Sequence, residues 1–358
     1  ARADHTPAPF AIIDHVAAFG HDSGAMSAGE MGIFPELMVG DASKNLRRVF
    51  YLTDAVRKSA RGDSGIQRLH VVGAGVMGGD IAAVGAMAGL DVTLTDMNEA
   101  AIDGAIARAA KLFERRMKTD DKIAAAKSRL RAEKDGNGAG DADLIIEAVA
   151  EKLAVKQAVF QALEAASKPD AILATNTSAI PLEDIATALK APERLIGLHF
   201  FNPVPVLPLV EVIWSEFSDQ SLVNRGMQFA GRIGKMPIRC KSASGFLVNR
   251  ALLPYIFKAI EAVAAGENAD VIDEALVDFG MPMGPIELAD QIGLDVCLDV
   301  GVVLGIAPAA KTLLTEKCDA GTVGRKSGSG FYDWDGNRAI RPRQPQDAAI
   351  MAGIVKSM

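Results

Sequence analysis

The feature that most constrains the fold is a glycine-rich turn, Gly73-Ala-Gly75-Val-Met-Gly78, between an apolar run (Leu69 to Val72) and a helical stretch (Val76 to Ala88) closed by Gly89. In a chain with 34 glycines the spacing alone is not specific. Its setting makes it so. A strand that stops at glycines and opens a helix is the local grammar of a phosphate-binding turn, where backbone N–H groups at a helix N-terminus approach a pyrophosphate. Asp96, 21 residues beyond Gly75, closes the next apolar run, Asp91 to Thr95. A carboxylate there accepts hydrogen bonds from ribose hydroxyls and repels a 2′-phosphate. No arginine follows it closely, so the pattern favours NAD over NADP. The alternative reading of the turn is a glycine-rich packing corner.

The surrounding alternation fits. Leu144–Val149, Ala171–Ala174 and Leu195–Phe200 read as buried strands, separated by helical stretches at Val155–Ala166 and Leu182–Leu189. A long helix is expected from about Glu99 to Lys134, and Gly136–Gly140 reads as a surface loop. Alternation of this kind predicts an α/β fold: a Rossmann-like, mostly parallel sheet with helices on both faces. From Ser244 onward the pattern is helical (Phe246–Ala265, Ala269–Phe279, Pro285–Leu304 and Ala309–Cys318), so an all-helical domain follows the sheet domain. Before the sheet, two helices at Pro7–Phe19 and Asp41–Lys58 flank a glycine-rich stretch, with Asp41 expected as N-cap and Ala60–Gly65 as linker. The domains expected are a helical appendage over 1–62, the nucleotide-binding domain over 63–243, the helical domain over 244–335, and a tail over 336–358.

Charge and cysteine content narrow the function classes. With 38 basic against 45 acidic residues the net charge is −7, which argues against a nucleic-acid binder. The three cysteines, Cys240, Cys297 and Cys318, are too scattered for a disulfide framework or a zinc cluster, so no metal is expected. No apolar run reaches the roughly 20 residues of a membrane helix. With no secretory leader pattern at the start, the expectation is a reducing, cytoplasmic setting. The start on Ala1 rather than methionine, with irregular ends, reads as an excised fragment.

Of five histidines, His5, His15, His21 and His70 read as structural. His199 ends a strand in Gly-Leu-His199-Phe-Phe-Asn202-Pro-Val-Pro, at the sheet edge where open α/β proteins bind ligands. Imidazole there can exchange a proton while a nicotinamide exchanges hydride. Position alone serves equally for a structural histidine.

That segment, with Asn176-Thr-Ser178, Leu209-Val-Glu211-Val-Ile, Gly245-Phe-Leu-Val-Asn249-Arg and Met281-Pro-Met-Gly-Pro-Ile-Glu-Leu, resembles the L-3-hydroxyacyl-CoA dehydrogenase family over about Ile66 to Trp334. The turn Gly-Ala-Gly-Val-Met-Gly-Gly looks most like the long fatty-acid-oxidation multifunctional chains, in which an enoyl-CoA hydratase half precedes the dehydrogenase. Pro7-Ala-Pro-Phe-Ala-Ile-Ile-Asp and Asn45-Leu-Arg-Arg-Val-Phe resemble the end of that half. On that comparison the tail would lead into a further helical domain.

The resemblance implies NAD-dependent oxidation of L-3-hydroxyacyl-CoA to 3-ketoacyl-CoA in β-oxidation. His199 would be the general base, Glu211 the carboxylate that orients it, and Ser178 and Asn249 the donors to the substrate oxygen. Gly73, Gly75, Met77, Gly78, Asp96, Val149, Glu151, Lys156, Ser178, Asn202 and Lys326 match cofactor-side positions. Taken singly, Glu211 is equally an edge-strand surface charge, Ser178 a helix cap, Asn249 a polar position in a buried helix, and Lys156 and Lys326 solvated lysines. For the polyanionic acyl-CoA, the basic stretch Arg108–Lys134, with Lys111, Arg115, Arg116, Lys118 and Lys122, is the candidate surface, or equally a solvated helix face. The resemblance further implies a homodimer through residues 245–320 and a thiolase as partner of the parent protein. The competing readings are a non-catalytic NAD- or CoA-binding fragment and a 3-hydroxybutyryl-CoA dehydrogenase of biosynthetic direction.

Overall fold

The structure is a computed structural model and describes residues 5–134, 137–341, 353, 355 and 356. Contacts divide the chain into two units, Ala1–Ser59 and Ala60–Met358.

The first unit contains three helices: α1 (Pro7–Phe19), α2 (Ser23–Val39) and α3 (Asp41–Ser59). The sequence reading expects two. The middle helix forms despite Gly24, Gly29, Gly32 and Pro35 because Asp22 caps it, accepting from the N–H groups of Gly24 and Ala25. Asp41 is the first residue of α3 rather than its cap, and it pairs with Lys44. None of the three helices contains a buried residue.

The second unit starts earlier than the expected linker end. Ala60 is buried against Gly231, and the Ser64 carbonyl accepts from Arg225. Its sheet alternates with helices: β1 (Arg68–Val72), α4 (Val76–Met87), β2 (Asp91–Thr95), α5 (Glu99–Arg116), α6 (Asp120–Arg129), β3 (Leu130–Ala132), β4 (Leu144–Glu147), α7 (Leu153–Ala166), β5 (Ile172–Thr175), α8 (Leu182–Ala186) and β6 (Leu195–Phe200). Then come β7 (Leu209–Trp214), α9 (Gln220–Arg232) and β8 (Met236–Lys241). The order is β3-β2-β1-β4-β5-β6-β7-β8. Strands β1 to β6 are parallel; β7 runs antiparallel to β6, and β8 is parallel to β7. Chain order reverses between β1 and β4, which opens the crevice where such sheets bind ligands.

The single helix expected over 99–134 is in fact two helices and a short strand. The chain leaves the helix at Met117, and Thr119, in extended conformation, precedes the next one. The expected loop at 136–140 holds a 3-10 turn, Asn137–Ala139, with Ala139 buried; Gly136 lies outside the described residues.

The helical part comprises α10 (Val248–Ala264), α11 (Ala269–Phe279), α12 (Pro285–Ile292), α13 (Leu294–Leu304) and α14 (Pro308–Asp319). The expected helix over 285–304 breaks at Gly293, whose φ of 107° is a glycine conformation. An antiparallel hairpin, β9 (Asp333–Asp335) and β10 (Arg338–Ile340), closes the part, so it is not purely helical. Asp290 anchors this end by accepting from Phe331 N, Tyr332 N and Trp334 Nε1. Beyond Arg341 most of the expected tail lies outside the described residues.

Among the described residues no helix is long and apolar enough to cross a membrane, and no cluster of metal-ligating side chains occurs. The three cysteines are free.

Candidate active site

The glycine turn leaves no room for a side chain at its first and last glycines, while Gly75 faces open space. A Cβ on Gly73 would stand 2.5 Å from the Ala148 carbonyl oxygen, and one on Gly78 would stand 1.9 Å from that of Gly73. Gly75 is the N-cap residue of α4, so the free N–H groups of the first helical turn face the crevice. Asp96 holds the turn from the neighbouring strand: Oδ2 accepts from Ala74 N at 2.7 Å and Oδ1 from Asn98 N at 2.9 Å. Both oxygens retain lone pairs for ribose hydroxyls. A close-approach turn, a helix N-terminus and an adjacent carboxylate fit the adenosine and pyrophosphate half of NAD. Met77 is half-buried against the sheet core, and Val149 N, just past the end of β4, donates to Glu147 Oε1 two residues earlier.

The ends of β4 and β5 carry a polar network. Lys156, on α7, is only 1% exposed, so the solvated-lysine reading is wrong. Its Nζ lies 2.8 Å from Glu147 Oε1 and 3.1 Å from Glu151 Oε2. Glu147 is itself fully buried and also accepts from Thr175 Oγ1 at 2.7 Å. Glu151 Oε1 in turn accepts from Thr177 Oγ1 at 2.5 Å, Ser178 N at 2.8 Å and Ser178 Oγ at 3.1 Å. Burial works to raise the Glu151 pKa, but Lys156, Thr177 and Ser178 outweigh it and hold the carboxyl below the usual range.

At the ends of β6 and β7 the antiparallel register places His199 opposite Glu211. His199 Nδ1 stands 2.6 Å from Glu211 Oε2. The carboxylate is not an edge-strand surface charge: β8 covers β7, and Glu211 is 0% exposed. Its other oxygen accepts from Leu247 N at 2.9 Å and Val248 N at 2.8 Å, at the start of α10. One buried carboxylate therefore orients the imidazole and pins the helical part to the sheet. Accepting the Nδ1 proton fixes the tautomer and leaves Nε2 as the basic nitrogen. Phe201 and Phe246 flank the ring at centroid distances of 4.5 and 5.9 Å. Phe246 has φ 50°, a conformation that L side chains rarely adopt, at the crossing between the two parts.

Asn249, in the first turn of α10, donates from Nδ2 to the Ser178 carbonyl at 3.0 Å. The structure thus brings His199, Glu211, Ser178, Asn249, Glu151 and Lys156 into one connected region. Both expected oxygen donors are engaged with protein acceptors, Ser178 through its hydroxyl and Asn249 through one of its two N–H groups. Asn202 is exposed, follows β6 and precedes a cis peptide bond to Pro203, with no side-chain hydrogen bond among the described contacts. Lys326 stays apart: half-exposed in a 3-10 turn, it pairs with Asp295 of α13. On α5, Lys111, Arg115 and Arg116 are exposed; Lys118 and Lys122 lie beyond the break that ends it.

The remaining histidines in described contacts are structural. His15 Nε2 lies 2.8 Å from the Met26 carbonyl. His70 faces Thr93, and burial pushes its pKa down to about 4. The sequence reading missed Glu147, Thr175 and Thr177. The available signal was a carboxylate closing the run Leu144-Ile-Ile-Glu147, since a charge ending a buried strand needs a partner.

The family described as "3-hydroxyacyl-CoA dehydrogenase, NAD binding domain" matches residues 68–243, and "3-hydroxyacyl-CoA dehydrogenase, C-terminal domain" matches residues 245–334. The 3-hydroxybutyryl-CoA dehydrogenase of Mycobacterium tuberculosis is 41% identical over 286 residues, covering 75% of this chain and 99% of that protein. The fatty acid oxidation complex subunit alpha of Pseudomonas entomophila is 34% identical over 362 residues, 96% of this chain and 50% of that protein. The chain thus spans about half the length of such relatives. Among solved structures, M. tuberculosis FadB2 has a TM-score of 0.71 at 42% identity, covering 75% of this chain and 99% of that one. The 3-hydroxybutyryl-CoA dehydrogenase of Escherichia coli K12 gives 0.71 at 36% identity, covering 79% and 63%.

Proposed function

The chain belongs to the 3-hydroxyacyl-CoA dehydrogenase family, and from that premise we propose that it interconverts L-3-hydroxyacyl-CoA and 3-ketoacyl-CoA, running toward the ketone in β-oxidation. The observation that carries this reading is the buried His199–Glu211 pair at the crevice edge. NAD, when bound, supplies the hydride acceptor for C3. His199 takes the 3-hydroxyl proton at Nε2, while Glu211 stabilises the imidazolium that forms. Asn249 turns its second N–H to the substrate oxygen. The Ser178 hydroxyl proton, directed at Glu151 in this structure, rotates to the substrate oxygen and makes Ser178 its second donor. Glu151 and Lys156 form the nicotinamide-side wall, with Lys156 acting through Glu151 because it is itself enclosed. Asn202 and Lys326 are retained as cofactor contacts on the family resemblance alone.

Residues 63–243 and 244–335 serve as the nucleotide-binding and substrate domains, with residues 1–62 as a helical appendage. Val296, Val302 and Val303 on α13 are exposed, which supports self-association through residues 245–320. The relatives named as fatty acid oxidation complex subunits support a multi-enzyme setting; a thiolase partner and a cytoplasmic location belong to the same proposal. Consumption of NADH with acetoacetyl-CoA tests the activity. Binding of NADH without turnover would instead favour a binding fragment.

A further inference from the structure

Glu147 has a place in the site that its position on a strand does not announce. It ends β4, fully buried, and each carboxylate oxygen is committed: Oε1 to Lys156 Nζ and Val149 N, Oε2 to Thr175 Oγ1. Each of these bonds leads to a wall of the crevice. Val149 N follows Ala148, whose carbonyl is the atom that a Cβ on Gly73 would strike, so this bond helps set the spacing between the glycine turn and the β4 loop. Thr175 ends β5, directly before the segment that carries Thr177 and Ser178. Lys156 reaches from Glu147 to Glu151, which receives the Ser178 amide and hydroxyl.

A lysine this enclosed remains a cation only when paired and hydrogen-bonded. Glu151 alone is a poor partner, since its side chain is 37% exposed and able to turn toward solvent. Glu147 is the rigid end of the chain of contacts. We propose that Glu147 is a positioning residue for the dehydrogenase reaction: through Lys156 it holds Glu151 in the arrangement that receives Ser178, setting the nicotinamide-side wall before cofactor and substrate arrive. This inference rests on the reading that Ser178 faces the reacting oxygen.

The test is a double-mutant cycle between Glu147 and Ser178, two residues with no direct bond. Glu147→Gln is compared with wild type, and again in a Ser178→Ala background, by steady-state kinetics with acetoacetyl-CoA, by NADH fluorescence titration and by thermal melting. The expected result is a tenfold or larger fall in kcat, a change under threefold in KM for acetoacetyl-CoA, and weaker NADH binding. In the Ser178→Ala background the same substitution lowers kcat by less than threefold, since its effect travels through Ser178. Equal fold-losses in both backgrounds, or a lowered melting temperature with unchanged kcat, would overturn the inference.

Glu147→Gln/Lys156→Met, which leaves no unpaired buried charge, keeps a low kcat if Glu147 positions Glu151. Recovery of wild-type kcat would show that Glu147 only neutralises a lysine, and would overturn the proposal. Should Glu147→Gln not fold, Thr175→Val removes one of its bonds without changing charge, and its effect on kcat must likewise shrink in the Ser178→Ala background. A wild-type protein without turnover would refute the dehydrogenase reading itself, an outcome separate from all of these.

Discussion

His199 Nδ1 and Glu211 Oε2 are 2.6 Å apart, and the opposite oxygen of Glu211 accepts two backbone N–H groups at the start of α10. The residue that orients the proposed base is therefore also the residue that joins the sheet to the helical part. Chemistry and domain attachment share one buried carboxylate.

That sharing gives Glu211→Gln two separable effects. Loss of the charge that stabilises the imidazolium lowers kcat by roughly 10²–10⁴-fold, the range of general acid–base catalysis. Weaker acceptance from Leu247 N and Val248 N costs about 1–3 kcal/mol of stability. Stopped-flow kinetics and urea unfolding measure the two; a variant with wild-type kcat contradicts the role given to Glu211.

Asp96 bonds to the glycine turn, and its proposed role is to receive the ribose hydroxyls of the cofactor. Asp96→Ala weakens NADH binding about tenfold, equivalent to about 1.4 kcal/mol, while NADPH binding stays the same or tightens. Fluorescence titration with both cofactors checks this. An equal loss for both would mean that Asp96 acts only on the turn.

Asp273 accepts from Ile286 N, Glu287 N, Tyr332 Oη and Arg341 in the helical part. Burial nevertheless pushes its carboxyl up to about 6, with those contacts acting in the opposite direction. A folded-state pKa above the unfolded one means that the native state holds the proton longer. Stability therefore falls as pH rises from about 4 to about 6, by at most about 1.4 kcal/mol per pH unit from this group. Asp273→Asn flattens the stability–pH curve in that window, even though its absolute stability is lower. Urea titrations at pH 4.5, 5.5 and 6.5 read the slope, and an unchanged slope contradicts the assignment.

Val296, Val302 and Val303 expose an apolar face on α13. The protein is expected to sediment as a dimer at tens of micromolar, with Val302→Asp shifting it to monomer. A wild-type monomer by light scattering at high concentration rules out the proposed association.

The alternating strands and the glycine turn were legible because their determinants are local: apolar runs, glycine spacing, and Asp96 closing the next strand. Helix α2 was not, because Gly24, Gly29, Gly32 and Pro35 mask a helix that the Asp22 cap starts. The break at Met117–Thr119 was equally hidden, since Lys118, Thr119 and Asp120 are all compatible with an exposed helix. Apart from the family resemblance, Glu211 and Lys156 read as surface charges, because lysine and glutamate usually are. Glu211 is buried by β8, a strand remote in sequence, whereas Glu147 lies only nine residues before Lys156 and is recognisable as its partner only once the β4–α7 connection brings the two side chains together. The family motifs singled out Ser178 and Asn249 as donors, but the Glu151 and Ser178 acceptors that engage them appear only in three dimensions.

The most direct measurement is NADH oxidation with acetoacetyl-CoA by the wild-type protein and by His199→Gln, with NADH affinity measured in parallel. Steady turnover by wild type is expected, with a loss of at least about 10²-fold in kcat for the variant and NADH affinity within a few-fold of wild type. Normal turnover by His199→Gln would contradict the role of His199 as the base.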